Sequence, residues 1–159
     1  MRVRPAVSED RDFIVGLSAR FAESRLPPWR SFESIVAGTA RHLDAALASS
    51  GPRSQILVAL GEDEASLGFA WVVLVEDFFT GEDVAKISEI ATARDGTGAG
   101  AALMNACEVW ARDRGCAIVI LNVLQHNEHA RAFYERLGYE PEYTAMVKSL
   151  ERQAPDSAR

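Results

Sequence analysis

The sequence predicts a single mixed α/β domain, and three observations support this prediction. The length of 159 residues suits one hydrophobic core of ordinary size. The spacing of apolar residues changes along the chain from the helical period to the strand period and back again. No repeat and no linker long enough to divide the chain is found. We therefore expect one domain over residues 1–150, followed by a polar tail over residues 151–159.

The first part of the chain predicts one short strand and two helices. Residues 2–6 are strand-like, and Ser8 is placed to cap a helix that has acidic residues in its first turn. The Leu26-Pro27-Pro28 stretch ends this helix, because proline cannot continue the hydrogen-bond ladder. A second helix with an apolar stripe follows, and the polar and glycine-containing residues 49–52 end it.

The middle of the chain then predicts a β-meander. Residues 55–60 and 67–78 are rich in strand-forming residues and are joined by the polar turn GEDEAS, which indicates a hairpin. Residues 85–92 supply the next strand.

The rest of the chain alternates between helix and strand. A glycine-rich stretch (ARDGTGAGAAL) leads into a helix that stops at Gly115. Residues 117–124 are nearly all apolar, as in a strand that is covered on both faces. Asn127 can cap a further helix that ends at Gly138. Residues 139–150 supply a last strand.

Charge and composition exclude several classes of protein. Seventeen basic and 23 acidic side chains give a net charge of −6, which argues against a nucleic-acid partner. No stretch has the roughly 18 apolar residues that a membrane span needs, and the first residues do not look like a signal peptide. Cys107 and Cys116 lack zinc-site spacing, so we expect reduced thiols, no metal site and a cytoplasmic location.

Three glycines at alternate positions, Gly96, Gly98 and Gly100, need a physical reason. Glycine inside a helix costs about 1 kcal/mol relative to alanine. A helix that is entered through glycines exposes bare backbone N–H groups, on which a phosphate can rest directly. The alternative is a loose strand-to-helix turn that binds nothing.

The phosphate ligand could be one of three. An ATP-binding P-loop fails, because no Gly-Lys-Ser/Thr follows the glycines. A dinucleotide site fits the G-x-G-x-x-A pattern, but that pattern belongs at the first strand of its fold, with an acidic residue ending the next strand. Here the pattern lies past the middle of the chain, and the next strand ends at Asn122-Val123-Leu124. Coenzyme A is the third candidate, because its pyrophosphate also needs exposed backbone N–H groups.

Two stretches, ISEIATARDGTGAGAALM and LNVLQHNEHARAFYERLGY, resemble the GNAT superfamily of N-acetyltransferases. The family's Q/R-x-x-G-x-G/A loop falls on residues 95–100. Its N-x-x-A-x-x-x-Y-x-x-x-G-F/Y segment falls on Asn127, Ala130, Tyr134, Gly138 and Tyr139. Asp95 stands where the family usually has Gln or Arg, so it places a negative charge beside the loop, and Arg94 is the nearest residue that could compensate. The resemblance implies a central, mostly antiparallel mixed sheet with helices on both faces.

The resemblance also implies acetyl-CoA as co-substrate. In the family, the strands that match residues 85–92 and 117–124 splay apart, and the pantetheine arm lies between them. Carried over, the backbone of Ile90, Ala91 and Thr92 would bind pantetheine, with a free N–H near Ile90 polarising the thioester carbonyl, and Asn127 would contact the arm. The pyrophosphate would be held by residues 96–101, which are Gly96, Thr97, Gly98, Ala99, Gly100 and Ala101.

Two residues are candidates for proton transfer. By resemblance, Tyr134 would donate a proton to the coenzyme A sulfur; from spacing alone it is a core aromatic residue. Glu89, the only carboxylate inside the strand at 85–92, could accept the amine proton directly or through water, or could be an ordinary solvent-facing residue. Simple alternation would place Ile87 and Ala91 on its face of the sheet. His126 and His129 lie at the start of a helix, where solvated or capping roles are expected.

The acceptor and the activity remain open from the sequence. By resemblance, Phe21, Trp29 and Phe79 would belong to the acceptor cleft. The first hypothesis is an enzyme that moves an acetyl group from acetyl-CoA to a primary amine of a small molecule, peptide or protein. The second is a non-catalytic acyl-CoA sensor of the same fold, which Asp95 favours, and a dinucleotide-binding protein comes third. The resemblance also allows a homodimer, because sheets of this fold often pair.

Overall fold

The computed structural model of the chain describes residues 1–49 and 51–150. Ser50, part of the expected end of the second helix, and the expected polar tail at 151–159 lie outside the described residues. No helix in the described part of the chain is long and apolar enough to cross a bilayer.

A five-stranded sheet forms the centre of the fold, and its spatial order follows the order in the sequence. The first four strands pair antiparallel, and the last pair is parallel. The strands are β1 (Arg2–Pro5), β2 (Ser54–Leu60), β3 (Ser66–Glu76), β4 (Asp83–Thr92) and β5 (Val119–Leu121).

Helices cover both faces of this sheet, which confirms the predicted fold class. One core lies under α3 and includes Ala70, Ile87 and Leu103. The other lies under α1 and α2 and includes Ile14, Leu43 and Trp71. The helices are α1 (Arg11–Gly16), α2 (Phe32–Ala48), α3 (Ala99–Arg112) and α4 (Glu128–Arg136).

The first predicted helix is instead a short α-helix between two 3₁₀ segments, Ser8–Asp10 and Leu17–Ala22. The expected cap at Ser8 is wrong, because its hydroxyl bonds to Glu9. The carboxylate that binds a backbone N–H at the start of this segment is that of Asp10. It is buried, accepts the Val7 N–H at 2.8 Å and binds the Arg4 guanidinium at 2.6 and 2.9 Å. The Arg4 hydrogen bonds hold the pKa of Asp10 below its usual value.

A β-bulge between β3 and β4 changes the alternation at the centre of β4. Trp71 pairs with Glu89, whereas the next residue, Val72, pairs with Ile87. Ser88 is therefore the extra residue, and Ile87 points into the core under α3. The expectation that Ile87 shares a face with Glu89 is wrong, while Ala91 does lie on the α2 side.

The last predicted strand is absent. Residues 139–150 form no regular secondary structure, and Tyr143, Met146 and Leu150 are exposed. The alternating pattern there is typical of a strand, but a strand also needs a neighbour that completes its hydrogen bonds. The strand predicted at 117–124 is likewise reduced to the three residues that pair with β4.

Both cysteines are free thiols and both are buried. Burial raises the pKa of Cys107 to about 12, so this thiol stays protonated at neutral pH.

Candidate active site

The glycine stretch forms a loop of unpaired backbone amides at the start of α3. Gly96 and Gly98 have positive φ angles of 74° and 81°, and Gly98 is the N-cap residue. The N–H groups of Gly96, Gly98 and Gly100 donate to no acceptor in the described part of the chain. Free amides at the N-terminus of a 14-residue helix suit an anion, because the helix dipole adds positive potential there.

Gly100 brings α4 close to this loop. A Cβ added at Gly100 would lie 3.2 Å from the ring of Phe133. Any other residue at this position would therefore require the ring to shift. Phe133 is followed directly by Tyr134 on α4, and their ring centroids are 5.3 Å apart. The contact between Gly100 and Phe133 therefore links the amide loop to the helix that carries Tyr134, the candidate acid.

Asp95 forms an ion pair with a residue that the sequence does not identify. Arg20, from the second 3₁₀ segment, donates to Asp95 at 2.6 Å, to the Thr92 carbonyl at 3.1 Å and to Glu23. Arg20 thus ties the end of β4 to the amide loop. No ion pair joins Asp95 to Arg94 within the described residues, so the expected compensation comes from a distant segment of the chain.

We expect Arg20→Ala to weaken the affinity of the loop for a diphosphate ligand about tenfold, because the substitution leaves an unpaired carboxylate beside the free amides and removes the tether between the loop and β4. Asp95→Ala loses the tether but also the repulsion, so its effect should be smaller. The Arg20→Ala/Asp95→Ala double variant should regain part of the affinity. Calorimetric titration of all three measures this, and unchanged affinity in Arg20→Ala would contradict it.

The sheet opens beside this loop. β5 pairs only with residues 85–87 of β4, so the outer edge of Ile90, Ala91 and Thr92 has no strand beside it in the described chain. On their other side these residues pair with Ala70, Phe69 and Gly68 of β3. An open edge of this kind offers backbone donors and acceptors to an extended ligand.

Asn127 is used as the sequence predicts, as the N-cap of α4. Its Oδ1 accepts the Ala130 N–H at 3.1 Å. Its side-chain NH₂ has no partner among the described residues and is the group available to a ligand. The role of Asn127 in cofactor binding stays a prediction.

Tyr134 packs on the α3 side of the sheet, next to Tyr139 at a centroid distance of 6.1 Å. Its hydroxyl makes no hydrogen bond within the described chain, whereas the Tyr139 hydroxyl donates to Glu108 at 3.3 Å. Burial raises the pKa of Tyr134 above its usual value of 10.0, so the phenol keeps its proton at neutral pH. An unpaired, protonated hydroxyl can donate to a leaving group.

Glu89 lies on the opposite face, under α2, and pairs with a histidine. Its Oε1 is 3.2 Å from His42 Nδ1, while its Oε2 is buried without a partner in the described structure. The side chain of Glu89 is 13% exposed, compared with 58% for His42. His42 also meets the Trp71 ring edge-on at 4.8 Å. A buried carboxylate with a spare oxygen can accept a proton.

Sequence reasoning missed His42 and considered only His126 and His129, which are both exposed. The available signal was the position of His42, next to the apolar stripe of the second predicted helix. The β-bulge that directs Glu89 toward α2 leaves no recognisable mark in the sequence.

A cleft of about 550 Å³ lies on the α2 side, and its lining includes His42, the partner of Glu89. Its walls are apolar at Phe21, Ile35 and Leu124. Its polar lining consists of Arg30, Ser34, Thr39 and His42, with Gly38 between them.

The three residues expected to bind the acceptor are not brought together. Phe21 lines the cleft. Trp29 is half exposed next to the lining residue Arg30. Phe79 is 73% exposed on the β3–β4 turn and stacks edge-on against Phe78 at 5.3 Å.

The structure is that of an α/β protein with free backbone amides at a helix N-terminus beside an opening between two strands of its sheet. The family model described as "Acetyltransferase (GNAT) family" matches residues 19–139. The chain belongs to this family, as the sequence motifs indicate.

Solved structures have the same fold. A Pyrococcus furiosus protein whose acetyl transferase assignment is provisional is 25% identical, with a TM-score of 0.75 over 94% of this chain and 99% of that chain. A ribosomal-protein-alanine N-acetyltransferase from Brucella melitensis is 18% identical, with a TM-score of 0.67 over 94% and 100%. An aminoglycoside N-acetyltransferase in complex with CoA is 15% identical, with a TM-score of 0.67 over 93% and 98%. No curated protein sequence matches the chain.

Proposed function

We propose that the protein transfers an acetyl group from acetyl-CoA to a primary amine of a small molecule, peptide or protein. One observation carries the proposal: the sheet opens between β4 and β5 next to an amide loop, with Tyr134 on one face and Glu89 on the other. A ligand whose diphosphate lies on the loop can pass its arm through the opening toward both residues.

The three free amides of Gly96, Gly98 and Gly100 fit a diphosphate, because they add donors without side chains that would hold the anion away. Pairing of Asp95 with Arg20, which also binds Glu23, reduces the electrostatic repulsion between Asp95 and a diphosphate. A structural neighbour with this fold was solved with CoA. Acetyl-CoA would supply an activated thioester carbonyl, and Ile90, Ala91, Thr92 and Asn127 would position its arm.

The residues divide the proton transfers between the two faces of the sheet. Glu89 accepts the proton that the amine loses as the new C–N bond forms. A backbone N–H near Ile90 donates to the carbonyl oxygen, where negative charge develops. Tyr134 gives its proton to the sulfur as the C–S bond breaks.

Saturable release of free thiol that requires an amine acceptor tests this proposal. At a hundredfold excess over Kd, acetyl-CoA should also raise the melting temperature by roughly 5–10 °C. NAD serves as the matched control and should have no effect.

The same assay separates the alternatives. Stabilisation by acetyl-CoA without thiol release across amines and peptides would favour the non-catalytic sensor, to which Asp95 at the usual Gln/Arg position points. Stabilisation by NAD alone would favour the dinucleotide hypothesis. A homodimer remains part of the proposal, and the exposed apolar side chains of Tyr143, Met146 and Leu150 are a surface it could use.

A further inference from the structure

His42 lies between the cleft on the α2 side and the carboxylate of Glu89. Its ring lines the cleft, and its Nδ1 is 3.2 Å from Glu89 Oε1. Within the described structure Glu89 does not line the cleft, and its Oε2 is buried. An amine that enters the cleft therefore meets the imidazole of His42 before it can reach the carboxylate.

Two contacts orient the ring of His42. Its Nδ1 faces Glu89, and the ring lies edge-on to Trp71 at a centroid distance of 4.8 Å. Trp71 is held in place in turn, because it is the β3 partner of Glu89 and its Nε1 donates to the Ser54 hydroxyl at 2.8 Å. Neighbouring side chains of the sheet therefore fix how His42 faces the cleft.

The position of Glu89 decides which ring nitrogen of His42 is basic. A carboxylate oxygen next to Nδ1 favours the neutral tautomer that carries its proton on Nδ1. The free lone pair is then on Nε2, the ring nitrogen farther from Glu89. Because the side chain is more than half exposed in the wall of the cleft, the group offered to an amine is an unprotonated imidazole nitrogen.

The same cleft borders the opening of the sheet. Its lining includes Leu124, which follows β5 in the sequence, and β5 pairs only with residues 85–87 of β4. His42 and Leu124 thus line one cleft, on the face of the sheet where Glu89 lies. An amine in this cleft is next to the place where the proposed function puts the thioester.

We infer that His42 is a catalytic residue that takes the proton of the acceptor amine, with Glu89 acting behind it. This inference rests on the proposed function and deepens it, since the amine proton enters the Glu89–His42 pair at His42. As the amine nitrogen bonds to the thioester carbon, its N–H bond breaks and the proton goes to Nε2. The imidazolium that forms is balanced by the Glu89 carboxylate and later loses the proton to water.

Replacing His42 by alanine should lower kcat about a hundredfold, because Glu89 can then accept the proton only through water, and should leave the affinity for acetyl-CoA unchanged. Thiol release is measured at saturating acetyl-CoA with an aminoglycoside, an alanine-terminated peptide and a peptide with an internal lysine. Adding about 50 mM imidazole should raise kcat of His42→Ala about tenfold, because a free base can occupy the emptied space. The rate with imidazole but without amine is subtracted, since imidazole itself attacks thioesters.

His42→Asn separates proton transfer from positioning. The amide of asparagine can donate to Glu89 Oε1 in place of Nδ1, but it has no basic nitrogen. We therefore expect kcat of His42→Asn to stay as low as that of His42→Ala. In the His42→Ala/Glu89→Gln double variant, kcat should fall no further than in the lower of the two single variants, because residues that act as a unit are not additive.

Arg41→Ala is the matched control, because Arg41 precedes His42 on α2, is exposed and lies outside the cleft lining. Its kcat should stay near the parent value and should not respond to imidazole. A parent-like kcat in His42→Ala or His42→Asn overturns the assignment and leaves the transferase proposal intact. A loss without rescue by imidazole, or an equal loss in Arg41→Ala, overturns it as well. No thiol release by the parent protein with any of the three amines would overturn the transferase proposal itself, and the assignment with it.

Discussion

Replacing Glu89 by glutamine is expected to lower kcat by about a thousandfold and to leave the affinity for acetyl-CoA unchanged. Glutamine keeps the shape of the side chain but cannot take the proton of the amine, and general bases typically contribute 10²–10⁴-fold. The buried, unpartnered Oε2 is the atom whose loss matters. Steady-state kinetics with a saturating amine, together with titration of acetyl-CoA, separates the two quantities.

Asp83→Asn is the control for this variant. Asp83 is a carboxylate at the other end of β4 and is paired with Arg53 at 2.6 Å on the surface. It should leave kcat near the parent value. If Glu89→Gln also keeps the parent kcat, Glu89 is not the base and another group or water must accept the proton.

Replacing Tyr134 by phenylalanine is expected to lower kcat about a hundredfold at neutral pH, the low end for a general acid, because a thiolate leaves without help more readily than an alkoxide does. Burial raises the pKa of Tyr134, and the group donates only while protonated. The activity of the parent protein should therefore not fall with rising pH through ionisation of this tyrosine until the pH exceeds 10.0. A pH–rate profile of both proteins measures this.

Tyr139→Phe is the matched control for Tyr134. Both rings belong to the same cluster, but the Tyr139 hydroxyl is bonded to Glu108 on α3. Tyr139→Phe should keep kcat within about twofold, with any loss appearing in stability instead. Equal losses in both variants would indicate that the cluster acts only through packing.

The amide loop is the part of the site that the sequence predicts best. Gly96 and Gly98 are needed because of their positive φ angles, and Gly100 because of its contact with Phe133. Requirements of this kind are local, and glycine is nearly the only residue that meets them. The same locality makes the Asn127 cap and the stop at Gly115 predictable.

The pairing of distant side chains is what the sequence does not predict. Arg20 reaches Asp95 across 75 positions, and His42 reaches Glu89 from a different layer of the fold. Both contacts depend on the positions in which the helical segments pack against the sheet. The strand predicted at 139–150 is absent for the same reason. Its alternating pattern is a local property and carries no information on whether another strand lies beside it.

A crystal structure with acetyl-CoA measures the central claim most directly. We predict diphosphate oxygens at about 2.7–3.2 Å from the amides of Gly96, Gly98 and Gly100, with the sulfur next to the Tyr134 hydroxyl on the open side of β4. A nucleotide bound elsewhere, or a loop in which Asp95 leaves Arg20 and closes the amides to the phosphate, would contradict the account.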